Sequence, residues 1–223
     1  MPVIGLLGGL VSSTAVTVSF AQRSRQNLEL SRLFALGAVL ASTTMFPRLL
    51  IEVAVVNSTL LPYVIAPLTG MAVTGVIAVG WLWRIERSRE HTTHVQFDNP
   101  FSIVPALKFA LLFVLILFMA KAALDFLGTR ALYLTAMLAG LTDVDAITLT
   151  TARLAHESLD AATATATIIL AAMANTIMKG SIAFLLGARS FGRQMAWALG
   201  VMLLVGGIGL VLVWIGPLVK IID

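Results

Sequence analysis

Residues 1–83 recur without a gap as residues 132–214, and both copies are too apolar for a fold built in water. At an offset of 131, GLVSSTAVTVSFAQ (Gly9–Gln22) falls on GLTDVDAITLTTAR (Gly140–Arg153), and 15 of the 83 aligned positions are identical. Further along, Arg48 meets Lys179, Gly75 meets Gly206 and Trp83 meets Trp214. Unbroken internal duplication in a membrane chain is a mark of transporter architecture, with the site between the copies.

The medium follows from composition. Hydrophobic residues make up 59% of the chain and charged residues 12%, where a soluble domain carries roughly 25% charged. Several stretches hold about 20 mostly apolar residues, enough to cross a hydrocarbon core as helix. Such long runs, without ten-residue alternation, exclude a β-barrel. The net charge of +4 comes from arginines at the ends of apolar segments, which is a matter of topology and not of nucleic acid. With no cysteine, disulfides, thiolate metal sites and cysteine catalysis are excluded.

The apolar runs place about seven spans, near 3–22, 33–57, 60–83, 101–126, 133–154, 162–187 and 194–218, with boundaries good to a few residues. The polar run Arg84–Pro100 divides one integral membrane domain into 1–100 and 101–223. Arg23, Arg25, Arg32, Arg84, Arg87, Arg89, Arg153 and Lys220 fall on one side, and Arg130, Arg189 and Arg193 on the other. The positive-inside rule puts the first group in the cytoplasm of a prokaryotic inner membrane, the N-terminus outside and the C-terminus inside. If every span crosses fully, the copies share one orientation and are parallel repeats. The span at 101–126 has no counterpart before Met1, so the chain is expected to be a fragment or variant of a four-plus-four design. Its unpaired helix face points to a homodimer.

The strings Gly5–Arg25, Leu132–Ala155 and Ala171–Gly180 resemble the C-terminal membrane domain, of unknown function, that follows the MgtC/SapB-type region in prokaryotic membrane proteins. The resemblance implies association with an MgtC-like domain.

Asp143 and Asp145 are the sharpest chemical feature. Asp145 falls near the middle of its span, where a carboxylate is functional by default. Residues two apart on a regular helix point about 200° apart, so both can face one ion only if the helix is interrupted there. The first copy carries Ser12 and Thr14 at the matching positions, with Ser13 between them. With Thr17 and Thr148, these oxygens suit a hard cation, making Asp145 and Asp143 the candidate metal ligands. Arg48 and Lys179 are matched across the copies, with Thr44 and Asn175 four residues earlier on the same helix face. Glu52 can pair with Arg48, whereas Ala183 takes its place in the second copy, leaving Asp145 or Asp143 as the partner expected for Lys179. Pro47 removes a backbone donor beside Arg48 and its counterpart Met178 does not, so the two spans should differ in shape.

The glycines read as packing stripes and the tryptophans as an interfacial belt. His91 and His94 read as a solvated loop pair. Hydrolase and phosphate-loop motifs are missing, so no enzyme and no cofactor are expected. The expectation is a secondary transporter or ion permease in a lipid bilayer. Its cargo is a small inorganic ion, either a hard cation (Mg-, Ca- or Mn-like) or a proton-coupled one. The alternatives are an anion transporter using Arg48 and Lys179, and a non-transporting regulatory or assembly module.

Overall fold

The computed structural model describes residues 2–86, 118 and 129–219, and among these all regular structure is helical. The helices are α1 (Pro2–Gln26), α2 (Ser31–Thr43), α3 (Met45–Val56), α4 (Leu61–Glu86), α5 (Thr129–Thr142), α6 (Val144–Glu157), α7 (Ala161–Leu186) and α8 (Arg189–Val219). Four stretches are long and apolar enough to cross a membrane: Ser31–Val56, Ser58–Glu86, Ala161–Leu186 and Arg189–Trp214. The protein is thus an all-α polytopic membrane protein. The span expected at 101–126 and the pair His91 and His94 lie outside the described residues.

The first span is not a crossing. At Ser12 the backbone of α1 turns extended (φ −161°, ψ 102°), and the two arms fold back on each other. A Cβ on Gly8 would sit 2.6 Å from Val16 Cγ2, across a separation that a straight helix would make about 12 Å. Gly5, on the first arm, packs against the Gly37 backbone, and Phe20, on the second, packs against the same Gly37. Ser24 Oγ then accepts a hydrogen bond of 2.9 Å from the Ala188 amide, and Arg25 donates to the carbonyls of Leu185 and Gly187. The hairpin therefore enters and leaves at one face, where α2 begins and α7 ends.

The fifth expected span repeats the device from the opposite face. It breaks at Asp143 (φ −152°, ψ 121°), the position matching Ser12. The outer part of α5 reaches Trp214 through Tyr133, with ring centroids 6.4 Å apart. The outer part of α6 meets Asn57, whose amide donates to the Ala152 carbonyl at 3.2 Å. Both contacts lie at the face where α3 ends and α8 ends.

The copies are therefore inverted and not parallel. α4 and α8, which correspond, run antiparallel: Pro67 packs on Gly209, Met71 on Gly206 and Met202 on Gly75. The offset of 131 exchanges the last two contacts, so a pseudo-two-fold axis in the membrane plane passes between them. The parallel reading assumed seven full crossings. Two of those segments are re-entrant, and each re-entrant hairpin reverses the parity of all that follows. Glu86, in a pocket with Arg32 and Arg193, and Thr129, one turn before Tyr133 at Trp214, lie on opposite faces.

Re-entry also corrects the placement of charge and termini. Arg25 reaches Leu185 and Gly187, and Arg32 lines one pocket with Ile85, Glu86 and Arg193, so Arg23, Arg25, Arg32, Arg84, Arg189 and Arg193 share one face. Arg130 and Arg153 are on the other. Both Arg153 and the Arg189–Arg193 pair change sides from the expectation. α1 begins on the arginine-rich face and α8 ends on the opposite one, the reverse of the expected termini.

The Pro47 expectation holds. The second span divides into α2 and α3 at Thr44, whereas its counterpart α7 is continuous over 26 residues. Around these elements the core is apolar, with Phe20, Phe34, Phe46, Leu49, Leu68 and Met71 fully buried.

Candidate functional site

A helix broken inside a membrane leaves unpaired carbonyls at the end of one arm and unpaired amides at the start of the next. Such backbone is tolerated only where protein satisfies it. Here the same solution appears twice. Ser12 Oγ accepts from the Ala15 amide at 3.2 Å, and Asp143 Oδ1 accepts from the Asp145 amide at 2.8 Å. On the carbonyl side, Gly9 receives Arg48 Nη1 at 3.3 Å, and Gly140 receives Asn175 Nδ2 at 2.8 Å. Gly9 and Gly140 are equivalent, and both need to be small. A Cβ on Gly9 would sit 2.7 Å from Ala41 Cα, and one on Gly140 would meet the Ala171 carbonyl.

Arg48, on α3, bridges the two hairpin tips. Arg48 Nη2 lies 2.7 Å from Asp145 Oδ2 and 2.8 Å from Oδ1. Glu52 is a looser second partner, with 3.8 Å between Arg48 Nε and Oε1. The Arg48 and Asp145 side chains keep 20% and 18% exposure, so the pair is not sealed. Arg48 thus ties its own hairpin, through Gly9, to the tip of the other.

Lys179 occupies the matching place with different neighbours. It is fully buried, and Nζ donates to Met45 Sδ at 3.2 Å. Among the described residues no carboxylate lies within salt-bridge distance of it. The expected pairing of Lys179 with Asp145 or Asp143 is therefore not what forms. Asp145 crosses to Arg48, and Asp143 caps α6.

The interruption needed for Asp143 and Asp145 to face one site is present. The hydroxyls are less uniform. Ser13 and Thr17 are buried and bonded to each other, Thr17 Oγ1 donating to the Ser13 carbonyl at 2.8 Å. Thr148 is fully buried, its Oγ1 without a partner among the described residues. Thr14 is half-buried. Thr44 donates to the Ala41 carbonyl and packs on Gly9. Among the described residues, no group of three or more His, Asp or Glu side chains gathers as a metal cage.

Sequence reasoning missed four contributors. Gly9 and Gly140 lend their carbonyls as well as close packing. Their shared position three residues before each polar break was the available signal. Met45 is the third, and nothing in the sequence marks a methionine as a lysine's partner. Asn57, formally a glycosylation sequon, is 3% exposed and holds the second hairpin through Ala152.

Comparison with known proteins places the chain. No solved structure matches it. An "Uncharacterized protein" of Aquifex aeolicus (strain VF5) is 30% identical over 186 residues, covering 82% of this chain and 81% of its own. The model of the family described as "Domain of unknown function (DUF4010)" matches residues 1–187. Covering most of the sequence, including both hairpins and the residues at their tips, that match assigns the chain to the DUF4010 family.

Proposed function

We propose that this protein is a secondary transporter of a prokaryotic cytoplasmic membrane, with its cargo site where the two hairpin tips meet. One observation carries the reading: two re-entrant elements enter from opposite faces, break at equivalent residues and converge on a charged contact between inverted copies. Inverted repeats with interrupted helices at the midplane are the architecture of alternating access. Arg48, Asp145 and Glu52 form the contact that must open and close, while Ser12, Asp143, Asn175 and Gly9 hold the tips in shape. The six arginines gathered on one face make that face cytoplasmic, with the start of α1 inside.

A cysteine-free chain allows a test that needs no knowledge of cargo. Ala15→Cys and Thr142→Cys each place one thiol beside a tip. In reconstituted vesicles, a membrane-impermeant maleimide should reach each thiol from both faces. Labelling of each position from a single face would overturn the transporter reading.

On the hard-cation reading, Asp145 and Asp143 remain ligands, but Arg48 must first leave Asp145. The proton-coupled reading asks less, because it needs the Arg48–Asp145 pair only to open. The competing reading is a regulatory or assembly module beside an MgtC-like domain, favoured by how many of the buried polar groups bind one helix to another. On that reading Asp145 serves packing alone.

A further inference from the structure

The arginine-rich face carries one feature that the duplication does not repeat. A cavity of about 300 Å³ opens between the start of α2, the end of α4 and the start of α8. Arg32 and Arg193 line it from α2 and α8, and Trp81 and Trp197 from α4 and α8. The offset of 131 matches these four, in that order, with Thr163, Pro62, Leu212 and Ala66. The opposite face therefore has neither the guanidiniums nor the indoles at the matching positions. The chemistry of this lining belongs to one face alone.

Arg25, on the same face, is held by the carbonyls of Leu185 and Gly187. Arg32 and Arg193 have no hydrogen bond or ion pair among the described residues. Glu86 is buried in the same cavity, so the lining carries a formal charge of +1. The two indoles stack across α4 and α8 with ring centroids 4.6 Å apart, and each remains half-exposed. Tryptophan at such a level marks the headgroup region of a bilayer. Deeper into the membrane, Ile77 stands one turn from Trp81 and Leu204 two turns from Trp197, and both are exposed. From the guanidiniums inward the surface runs from cation to indole to hydrocarbon. That is the order of phosphate, glycerol and chains in an anionic lipid.

We infer that this cavity binds one anionic phospholipid, its phosphodiester held between Arg32 and Arg193 and its chains laid along α4 and α8. Basic pockets between membrane helices on the cytoplasmic side take such headgroups. Guanidinium suits the phosphate oxygens because its N–H groups form charge-assisted hydrogen bonds with them. The single negative charge of a phosphodiester balances the lining, whereas a zwitterionic lipid brings a second cation to it. Arg32 belongs to the first copy and Arg193 to the second, so the bound lipid joins the copies at this face. Binding needs only the cavity and is independent of the transporter reading.

The test is the melting temperature of the full chain in a neutral detergent, titrated with phosphatidylglycerol, phosphatidylcholine or soluble glycerol 3-phosphate at fixed pH and ionic strength. A ligand of the folded state raises the Tm saturably. Phosphatidylglycerol should do so, and the other two should not. Arg32→Gln with Arg193→Gln should abolish the response. Arg84→Gln, on the same face but outside the cavity, should keep it. Should the double variant not fold, Arg193→Gln alone, at an exposed position, should weaken the response. The inference is overturned if phosphatidylglycerol shifts nothing, if phosphatidylcholine acts equally, or if the arginine variants respond like the wild type. An equal response to glycerol 3-phosphate would make the ligand a soluble phosphate ester and overturn the lipid. Equal loss in Arg84→Gln would trace the response to the charge of the whole face and overturn the cavity.

Discussion

At the scale of single residues, the polar groups at the tips act in pairs, and pairs make directional predictions. Arg48→Met leaves Asp145 without its closest partner. For a fully buried pair this costs roughly 3–5 kcal/mol, and about a fifth of this pair is exposed, so about 2 kcal/mol is expected. Arg48→Met with Asp145→Leu should recover most of the loss, read as Tm in detergent. If the transporter reading holds, Asp145→Asn leaves the protein folded and abolishes uptake into vesicles. Unchanged uptake in that variant would remove Asp145 from the mechanism. Asp160 tests a plainer effect outside the membrane spans. Desolvation raises its carboxyl, but hydrogen bonds from the Thr163 side chain and amide and from the Ala162 amide outweigh it and hold the group below its ordinary value. Asp160→Ala should cost about 1 kcal/mol as a lost N-cap. Because folding lowers this pKa, the contribution is present above the unfolded value of about 3.9 and fades as pH falls through the lowered one. An Asp160→Ala penalty equal at pH 7 and pH 3 would contradict this. Which residues were polar and mid-span was legible in the sequence. Which cation took which carboxylate was not, because pairing between residues 97 apart depends on how the copies face each other.

At the scale of elements, each hairpin depends on one extended residue and one glycine. Gly140→Val would drive a side chain into the Ala171 backbone and separate α5 from α7, at a cost of roughly 1–3 kcal/mol or more. Gly200→Ala, where a Cβ meets nothing within 4 Å, should change stability little and serves as the control. A thermal shift alike in both variants would mean that close packing at Gly140 contributes nothing. The division of the second span at Thr44 was readable from Pro47, since a missing donor is a local property. Re-entry was not readable in the same way. A serine or an aspartate in a span is compatible with a continuous helix, and only packing of both arms on one neighbour makes the break a reversal.

For the whole molecule, inversion is the property that most needs a solution test. Single cysteines at Leu28 and Arg189 should label together from one side of oriented vesicles. Cysteines at Glu157 and Ser58 should label together from the other. The parallel arrangement instead pairs Leu28 with Glu157, so one labelling experiment decides between the two. The arginine-rich face should prove cytoplasmic, since Arg23, Arg25, Arg32, Arg84, Arg189 and Arg193 all belong to it.

The sequence by itself determined the medium, the duplication, the helical class and the chemically unusual residues. Each of these is a property of composition or of alignment, and no tertiary contact is needed to read it. Only the tertiary structure decided the hand of the duplication. A repeat read along the chain carries no sign of direction across a membrane, and the sign is set by whether a segment crosses or turns back. That choice depends on what satisfies the carbonyls of Gly9 and Gly140, and both partners, Arg48 and Asn175, arrive from other helices.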